Sequence, residues 1–286
     1  MKVVLFCGGY GMRMRDGESG MVKPMVPVGD RPLMWHVMRY YAHFGHRDFI
    51  LALGFGAEHI ARFFLDYQET HSNDFVLAGG HVTPLAQDIA DWTITFVHTG
   101  LETPIGERLR RVREHLDGEE MFLANYADVL TDAPLDAMID QFRASTAVAS
   151  LMAVPPQSAF HVVDVGQDDR VRSIRGVATL DLLENGGYFI FRREIFDHLR
   201  PDVDLVGDTL TTLADQGRVV AFRHDGFWVP ADTAKERAVL ERLSRAERAP
   251  WEVWRDGRGT TASAGNGHHR NGEAIGAMLA APRMER

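Results

Sequence analysis

The sequence predicts an α/β fold, with a mixed and mostly parallel sheet flanked by helices. Two observations carry that expectation. Through the first 150 residues, apolar runs of strand length alternate with segments of helical period. The first of those runs, Val3–Cys7, is apolar at every position, as a strand covered on both faces should be.

The elements follow in order. Residues 32–44 place Leu33, Val37 and Tyr41 on one helical face with Met34 and Met38 beside them, and Gly45 stands where such a helix would stop. Residues 49–53 read as a second buried strand and 57–67 as a second amphipathic helix. A strand at 93–97, a helix at 106–116 and a strand at 121–125 repeat the theme. Beyond residue 150 the texture changes: 146–154, 160–165, 171–174, 188–191 and 219–222 are strand-like with short helical pieces between them. The simplest reading is a mixed sheet that extends the first one. Residues 233–248 form a polar, charged helix. From residue 255 onward the chain is rich in Gly, Ala, Ser, Asn and Arg without sustained apolar period, and is expected to be a disordered tail.

Composition narrows the class. The 286 residues contain 45% hydrophobic and 25% charged residues, as in an ordinary soluble domain. With 31 basic against 40 acidic residues the net charge is −9, which argues against a nucleic-acid partner. An acidic chain binds an anionic nucleotide only through local cations, backbone donors and a metal. The lone cysteine, Cys7, forms no internal disulfide and suits a reducing compartment. The apolar run at the start is too short for a secretory or membrane segment, so a cytoplasmic protein without a membrane partner is expected.

The chemistry begins directly after the first strand, at Gly8-Gly9-Tyr10-Gly11-Met12-Arg13. Glycines at a strand-to-turn junction let backbone N–H groups approach anionic oxygens closely. Taken alone, the run is equally a tight turn with a solvated arginine, and it lacks the third glycine of a dinucleotide fingerprint. Ten residues beyond Arg13, however, comes Lys23-Pro24-Met25-Val26-Pro27-Val28-Gly29-Asp30-Arg31-Pro32-Leu33, then Trp35-His36-Val37-Met38. Together these resemble the N-terminal signature of the sugar nucleotidyltransferases, and the Trp-His-x-Met segment is most similar to the glucose-1-phosphate cytidylyltransferases. Thr99-Gly100, Thr103, Gly106, Arg108 to Glu114, Asn185-Gly186-Gly187-Tyr188-Phe189, Gly226 to Thr233 and Ala249 to Trp254 continue the resemblance in family order.

The resemblance implies a Rossmann-like nucleotidyltransferase fold over residues 1–254, with a nucleotide-binding half at 1–145 and a sugar-binding half at 146–254. It implies joining of a nucleoside triphosphate, CTP being the expected one, to a sugar 1-phosphate with release of pyrophosphate. Arg13 and Lys23 would be the catalytic cations on the triphosphate, and Gly8, Gly9 and Gly11 would give the nucleotide clearance and N–H donors. Thr103 and Gly106 would lie near the base, and Asn185 and Gly187 near the sugar. Magnesium would be held by Asp128 and Asp232, and the family habit suggests a homo-oligomer. Read without the resemblance, Asp128 is a turn-forming aspartate, Asp232 a helix cap and Asn185 to Gly187 a plain turn.

Four departures stand out. Met12 replaces a threonine, Ala127 and Val129 replace glycines that flank the metal aspartate, and Glu107 replaces a glycine near the base loop. The Glu-Lys-Pro element that binds the sugar phosphate is absent, with Gly176-Val177-Ala178 in its place. Arg175 is the expected substitute for that lysine, with Arg172 second. Two other readings stay open: a transferase using dTTP, UTP, ATP or GTP, and a catalytically silent relative that binds nucleotide or sugar phosphate.

Overall fold

A computed structural model describes residues 1–9, 22–157, 160–247 and 249–255. Gly11, Arg13 and the tail from 256 lie outside the described residues. β1 (Val3–Cys7) is followed by a short ladder of β2 (Pro27–Val28) and β3 (Arg31–Pro32), helix α1 (Leu33–His43), β4 (Asp48–Leu53) and α2 (Ala57–Leu65). A hairpin of β5 (Phe75–Ala78) and β6 (His81–Pro84) precedes β7 (Thr93–His98), α3 (Ile105–Arg111), β8 (Met121–Asn125), β9 (Val129–Thr131) and α4 (Leu135–Ala144). The second half adds β10 (Ala149–Val154), a hairpin of β11 (His161–Val165) and β12 (Val171–Gly176), β13 (Glu184–Arg192) and α5 (Ile195–His198). It ends with α6 (Thr211–Asp215), β14 (Val219–Arg223), β15 (Trp228–Pro230) and α7 (Ala234–Arg245).

Seven strands make one sheet in the order β14-β10-β13-β8-β1-β4-β7. β1 pairs in parallel with β4 and β8, β4 with β7, and β10 with β14, while β13 runs antiparallel to both its neighbours. The mixed, mostly parallel sheet expected from the sequence is present, and strands from the later run of the chain extend the earlier ones.

The uniform apolarity of β1 now has its reason. Val3, Leu5 and Cys7 join the core shared with α1, α2, α4 and α7, whereas Val4 and Phe6 join the core shared with α3, α5 and α6. The alternation repeats in β13, where Tyr188 and Ile190 face the first layer and Phe189 and Phe191 the second. A strand buried on both faces carries no polar alternation to read.

Some boundaries differ from expectation. The helix expected over 106–116 ends at Arg111 and tightens into a 3-10 turn at Arg113–Leu116, a common way for a helix end to satisfy its last carbonyls. Asn185-Gly186-Gly187, expected to precede a strand at 188–191, lies within β13 itself. The β5–β6 hairpin, helix α4 and the antiparallel β9–β15 pair carry weak sequence signals and were not anticipated.

This topology fixes where a ligand can sit. The parallel strands end at one edge, where β1 runs into Gly8 and Gly9, β7 into Thr99 and β8 into Tyr126. Because β13 runs the other way, its beginning, Glu184 to Gly187, lies at that same edge, with Glu184 paired to Val154. Open α/β sheets bind ligands at this edge.

The C-terminal segment is tied to the body rather than left as a surface. Trp251 is buried, and its indole N–H donates to His36 Nδ1 at 3.3 Å. Since an indole only donates, His36 Nδ1 accepts, and Nε2 therefore carries the ring proton and donates to Val28 O at 2.9 Å. Burial, followed by the nearby arginines, holds the imidazole down at about 4. The neutral ring is thus the folded form. Between pH 6.5 and 4 the unfolded chain binds the proton more readily, so this contribution is complete above pH 6.5 and is lost as pH falls toward 4. The difference corresponds to about 3 kcal/mol. Melting curves from pH 7.5 to 4 should show a shallower loss of stability for His36→Gln than for the unaltered protein; parallel curves would contradict this account.

Candidate active site

At the common strand edge lies a cavity of about 1150 Å³. Gly8, Gly9, Lys23, Thr103, Asp128, Asn185, Gly187 and Asp232 all line it, so most of the residues singled out in the sequence converge on one place. Among the described residues, six carboxylates line it (Glu102, Asp128, Glu184, Asp204, Asp232 and Glu236), against two cations, Lys23 and Arg108.

The centre of the site is a charge cluster from three distant segments. Lys23 Nζ donates to Asp128 Oδ2 at 2.5 Å and also to Asp232 Oδ1. Lys23 stands in a short 3-10 turn, Lys23–Met25, closed by Val26 N donating to Lys23 O at 3.1 Å. The two aspartates flank the β9–β15 ladder: Asp128 directly precedes β9, Asp232 follows β15, and Ala231 N donates to Asp128 O at 3.0 Å. Burial alone would lower the lysine, but Asp128 and then Asp232 outweigh it and hold the ammonium above its ordinary value. The lysine therefore keeps its proton at neutral pH and bridges the two aspartates.

Local structure explains why these carboxylates point here. The turn before Asp128 is held by Asn125 Oδ1, which accepts from Ala127 N at 2.6 Å. Ala127 has φ 63°, the left-handed region a glycine would occupy with less strain. The replacement of glycine by alanine therefore leaves the turn formed, not closed off. At the other aspartate, Thr233 is the cap of α7, with a reciprocal capping box to Glu236. Glu236 Oε2 also accepts from Asp232 N at 2.9 Å. Asp232 is thus not the cap, and its carboxylate is free to meet Lys23.

One end of the cavity is braced by Arg108, a buried residue that the sequence places only within a segment of the family resemblance. Its guanidinium donates to Thr99 Oγ1 at 2.7 Å and to the carbonyls of Gly100 at 2.8 Å, Gly8 and Leu101 at 3.0 Å, and Leu53 at 3.2 Å. One arginine therefore fixes the loops after β1, β4 and β7. Gly8 is a glycine for this reason, since a Cβ there would lie 2.1 Å from the guanidinium. A signal for it exists in the sequence: Ile105, Arg108 and Val112 share one helical face, so an arginine interrupts an otherwise apolar stripe. Gly9, in contrast, lines the cavity, and a Cβ added there would meet no atom of the described residues within 4 Å.

Three expectations are corrected. Gly106 does not line the cavity; a Cβ there would meet Val203 O at 2.6 Å, so its close approach is to the chain's own backbone. Glu107 is buried in a fork with Arg110 and Arg111, whose hydrogen bonds pull its carboxyl down to about 2, and it offers no acceptor to a base. Arg175 is exposed on β12 opposite Val162 and, like Arg172, does not line the cavity. Both arginines stand on the two-stranded β11–β12 ribbon.

The remaining wall is aromatic and amide. Asn185 Oδ1 accepts from Gly187 N at 3.0 Å, and its Nδ2 donates to Tyr126 Oη at 3.3 Å. Gly187, at φ 76°, lets the Tyr126 ring approach where a Cβ would lie 2.8 Å from it. Trp228 Nε1 donates to Gly186 O at 2.9 Å, and Gln157 Nε2 donates to Trp228 O. Trp228 belongs to the segment Gly226 to Thr233 already singled out, whereas Tyr126, Gln157 and Glu184 belong to no spacing pattern in the sequence.

Comparison with known proteins shows the family. Residues 2–256 match the profile of the Nucleotidyl transferase family. The glucose-1-phosphate cytidylyltransferase of Salmonella typhi is 34% identical over 258 residues, covering 89% of this chain and 100% of that one. The enzyme of the same name from Salmonella typhimurium gives the same identity and coverage, 34% over 89% and 100%. A crystal structure of UDP-glucose pyrophosphorylase with UDP-glucose shares the fold at TM-score 0.64 and 16% identity, covering 87% of this chain and 99% of that one. The chain belongs to the nucleotidyl transferase family, among its sugar nucleotidyltransferases.

Proposed function

We propose that this chain joins CTP to a sugar 1-phosphate or a sugar-like phosphate, forming a CDP-linked product and pyrophosphate. The observation that carries the proposal is the Lys23 ammonium held between Asp128 and Asp232, in a cavity that also presents Gly8 and Gly9. An oxygen of the acceptor phosphate attacks the α-phosphorus, the bond from that phosphorus to the bridging oxygen breaks, and pyrophosphate leaves with the electron pair. Two anions meet in this step, so placed positive charge and orientation supply the rate.

The donor set at Asp128 and Asp232 fits magnesium. Both are hard oxygen donors, and both already converge on one cation, the lysine ammonium. Among the described residues no group of three or more His, Cys, Asp or Glu side chains gathers to hold a metal. Two carboxylates suffice for an ion that keeps several waters and takes its other ligands from phosphates. When bound, it neutralises phosphate charge. Lys23 holds its proton throughout and, released from the carboxylates, presents the ammonium to phosphate oxygens. Arg13, which follows Gly9 in the sequence, is assigned to the leaving pyrophosphate. The Arg108-braced loops, with Thr103 at the cavity wall, form the base end.

CTP as donor rests on identity to cytidylyltransferases along their full length. Removal of Glu107 from the cavity supports it, since no carboxylate from that residue is available to a purine amino group.

Two tests follow. Asp128→Asn and Asp232→Asn should each keep the fold yet lower turnover by about 100-fold or more, because a neutral amide is a poor ligand for a hard cation; near-normal rates with magnesium present would remove the assignment. Calorimetric titration with each nucleoside triphosphate and magnesium should show CTP bound at least about tenfold more tightly than the others; a tighter GTP, ATP, UTP or dTTP would discard the cytidylyl assignment alone.

A further inference from the structure

Two hairpins lie outside the seven-stranded sheet and its cores. β5–β6 and β11–β12 each form a two-stranded sheet of their own, joined to no other strand among the described residues. A lone two-stranded ribbon is at best marginally stable in water, because neither face is covered. Both ribbons nevertheless carry a face of apolar side chains. In an antiparallel pair, residues directly opposite share a face, as do alternate residues along each strand. Phe75, Leu77, Val82 and Pro84 therefore form one face of the first ribbon, and Val163, Val165, Val171 and Ile174 one face of the second. All but Pro84 are exposed, Leu77 at 67% and Ile174 at 62%, so the two faces do not cover each other within one chain.

The first ribbon stands on a fixed stem. Leu85 N donates to Asp74 O at 2.7 Å across its base. Beneath that, the Glu69 carboxylate accepts from Asp88 N at 2.8 Å and Ile89 N at 3.1 Å. The Asp88 carboxylate accepts from Tyr67 Oη at 3.0 Å and Ser72 Oγ at 2.7 Å, and pairs with the buried Arg31 at 3.7 Å. A polar network thus holds in place a ribbon whose own faces are bare.

Area and charge point to the same cover. Each apolar face presents on the order of 300 Å², and the two together approach the roughly 800 Å² per partner that a stable interface buries. Residues 63–92 hold five carboxylates and no lysine or arginine. Of these, Asp66 and Asp74 are exposed and in no ion pair among the described residues. β12 carries the exposed Arg172 and Arg175, and Arg175 likewise has no ion pair among the described residues. First ribbon against first ribbon would set acid against acid, whereas first against second sets acid against arginine.

We propose that this chain assembles with copies of itself, the apolar face of β5–β6 in one copy seating on the apolar face of β11–β12 in the next. The contact joins unlike surfaces, so it closes either as a two-fold pair that makes it twice or as a ring that makes it once between neighbours.

Sedimentation velocity at micromolar protein should place the unaltered chain above its monomer mass. Leu77→Lys and Ile174→Glu each put a charge into one of the two faces, and each variant alone should sediment as a monomer. Mixed in equal amounts they should associate again, because the introduced charges of opposite sign then meet and the complementary pair of faces is unaltered. Both positions are exposed, so circular dichroism and melting temperature should stay near those of the unaltered protein. Should either charged variant fail to fold, Leu77→Ser and Ile174→Ser must show the same loss of mass. A monomeric unaltered protein, a single folded variant that keeps the larger mass, or a mixture that stays monomeric overturns the proposal.

Discussion

The ammonium of Lys23, set between the carboxylates of Asp128 and Asp232, is the interaction on which the site depends. Three segments far apart in sequence must meet for it to form. Each is positioned by ordinary backbone chemistry: a 3-10 turn at Lys23, an Asn125-supported left-handed turn before Asp128, and a β9–β15 ladder that brings Asp232 alongside. Two carboxylates this close repel one another unless a cation lies between them. The lysine fulfils that requirement in the free protein, and the same geometry suits a divalent ion accompanied by a triphosphate. Under the proposed reaction, stability and function draw on the same three side chains.

A second constraint is the Arg108 guanidinium, whose donors bind the loops after β1, β4 and β7. Its demand for space dictates glycine at position 8, and Gly8 O in turn dictates glycine at position 54, where a Cβ would come within 2.6 Å. The glycine-rich start of the chain is thus partly an internal packing solution. Gly9 alone of the two described glycines after β1 is left open to a ligand.

Much of this was legible in the sequence, and the exceptions have physical reasons. The parallel strands announce themselves because both faces are buried, and Lys23, Asp128 and Asp232 stand at recognisable places in spaced motifs. The role of Asp232 was ambiguous between cap and ligand until Thr233 proved to be the cap, a distinction that depends on one residue of helix register. Arg175 suits the place of a missing lysine by sequence distance, yet it is exposed on the β11–β12 ribbon and does not line the cavity. The resemblance puts Gly106 near the base and Glu107 beside the base loop, whereas helix α3 turns one toward backbone 203–205 and the other into an arginine fork.

The most direct measurement of the central claim is the thermal melting of Lys23→Met with and without magnesium, in the absence of nucleotide. Removing the ammonium leaves two carboxylates facing each other, so the variant should melt roughly 5–10 °C below the unaltered protein. Millimolar magnesium should restore much of that loss while moving the unaltered protein little, because the ion then occupies the position the lysine vacated. A variant that melts like the unaltered protein, or one that magnesium leaves unchanged, would contradict the account.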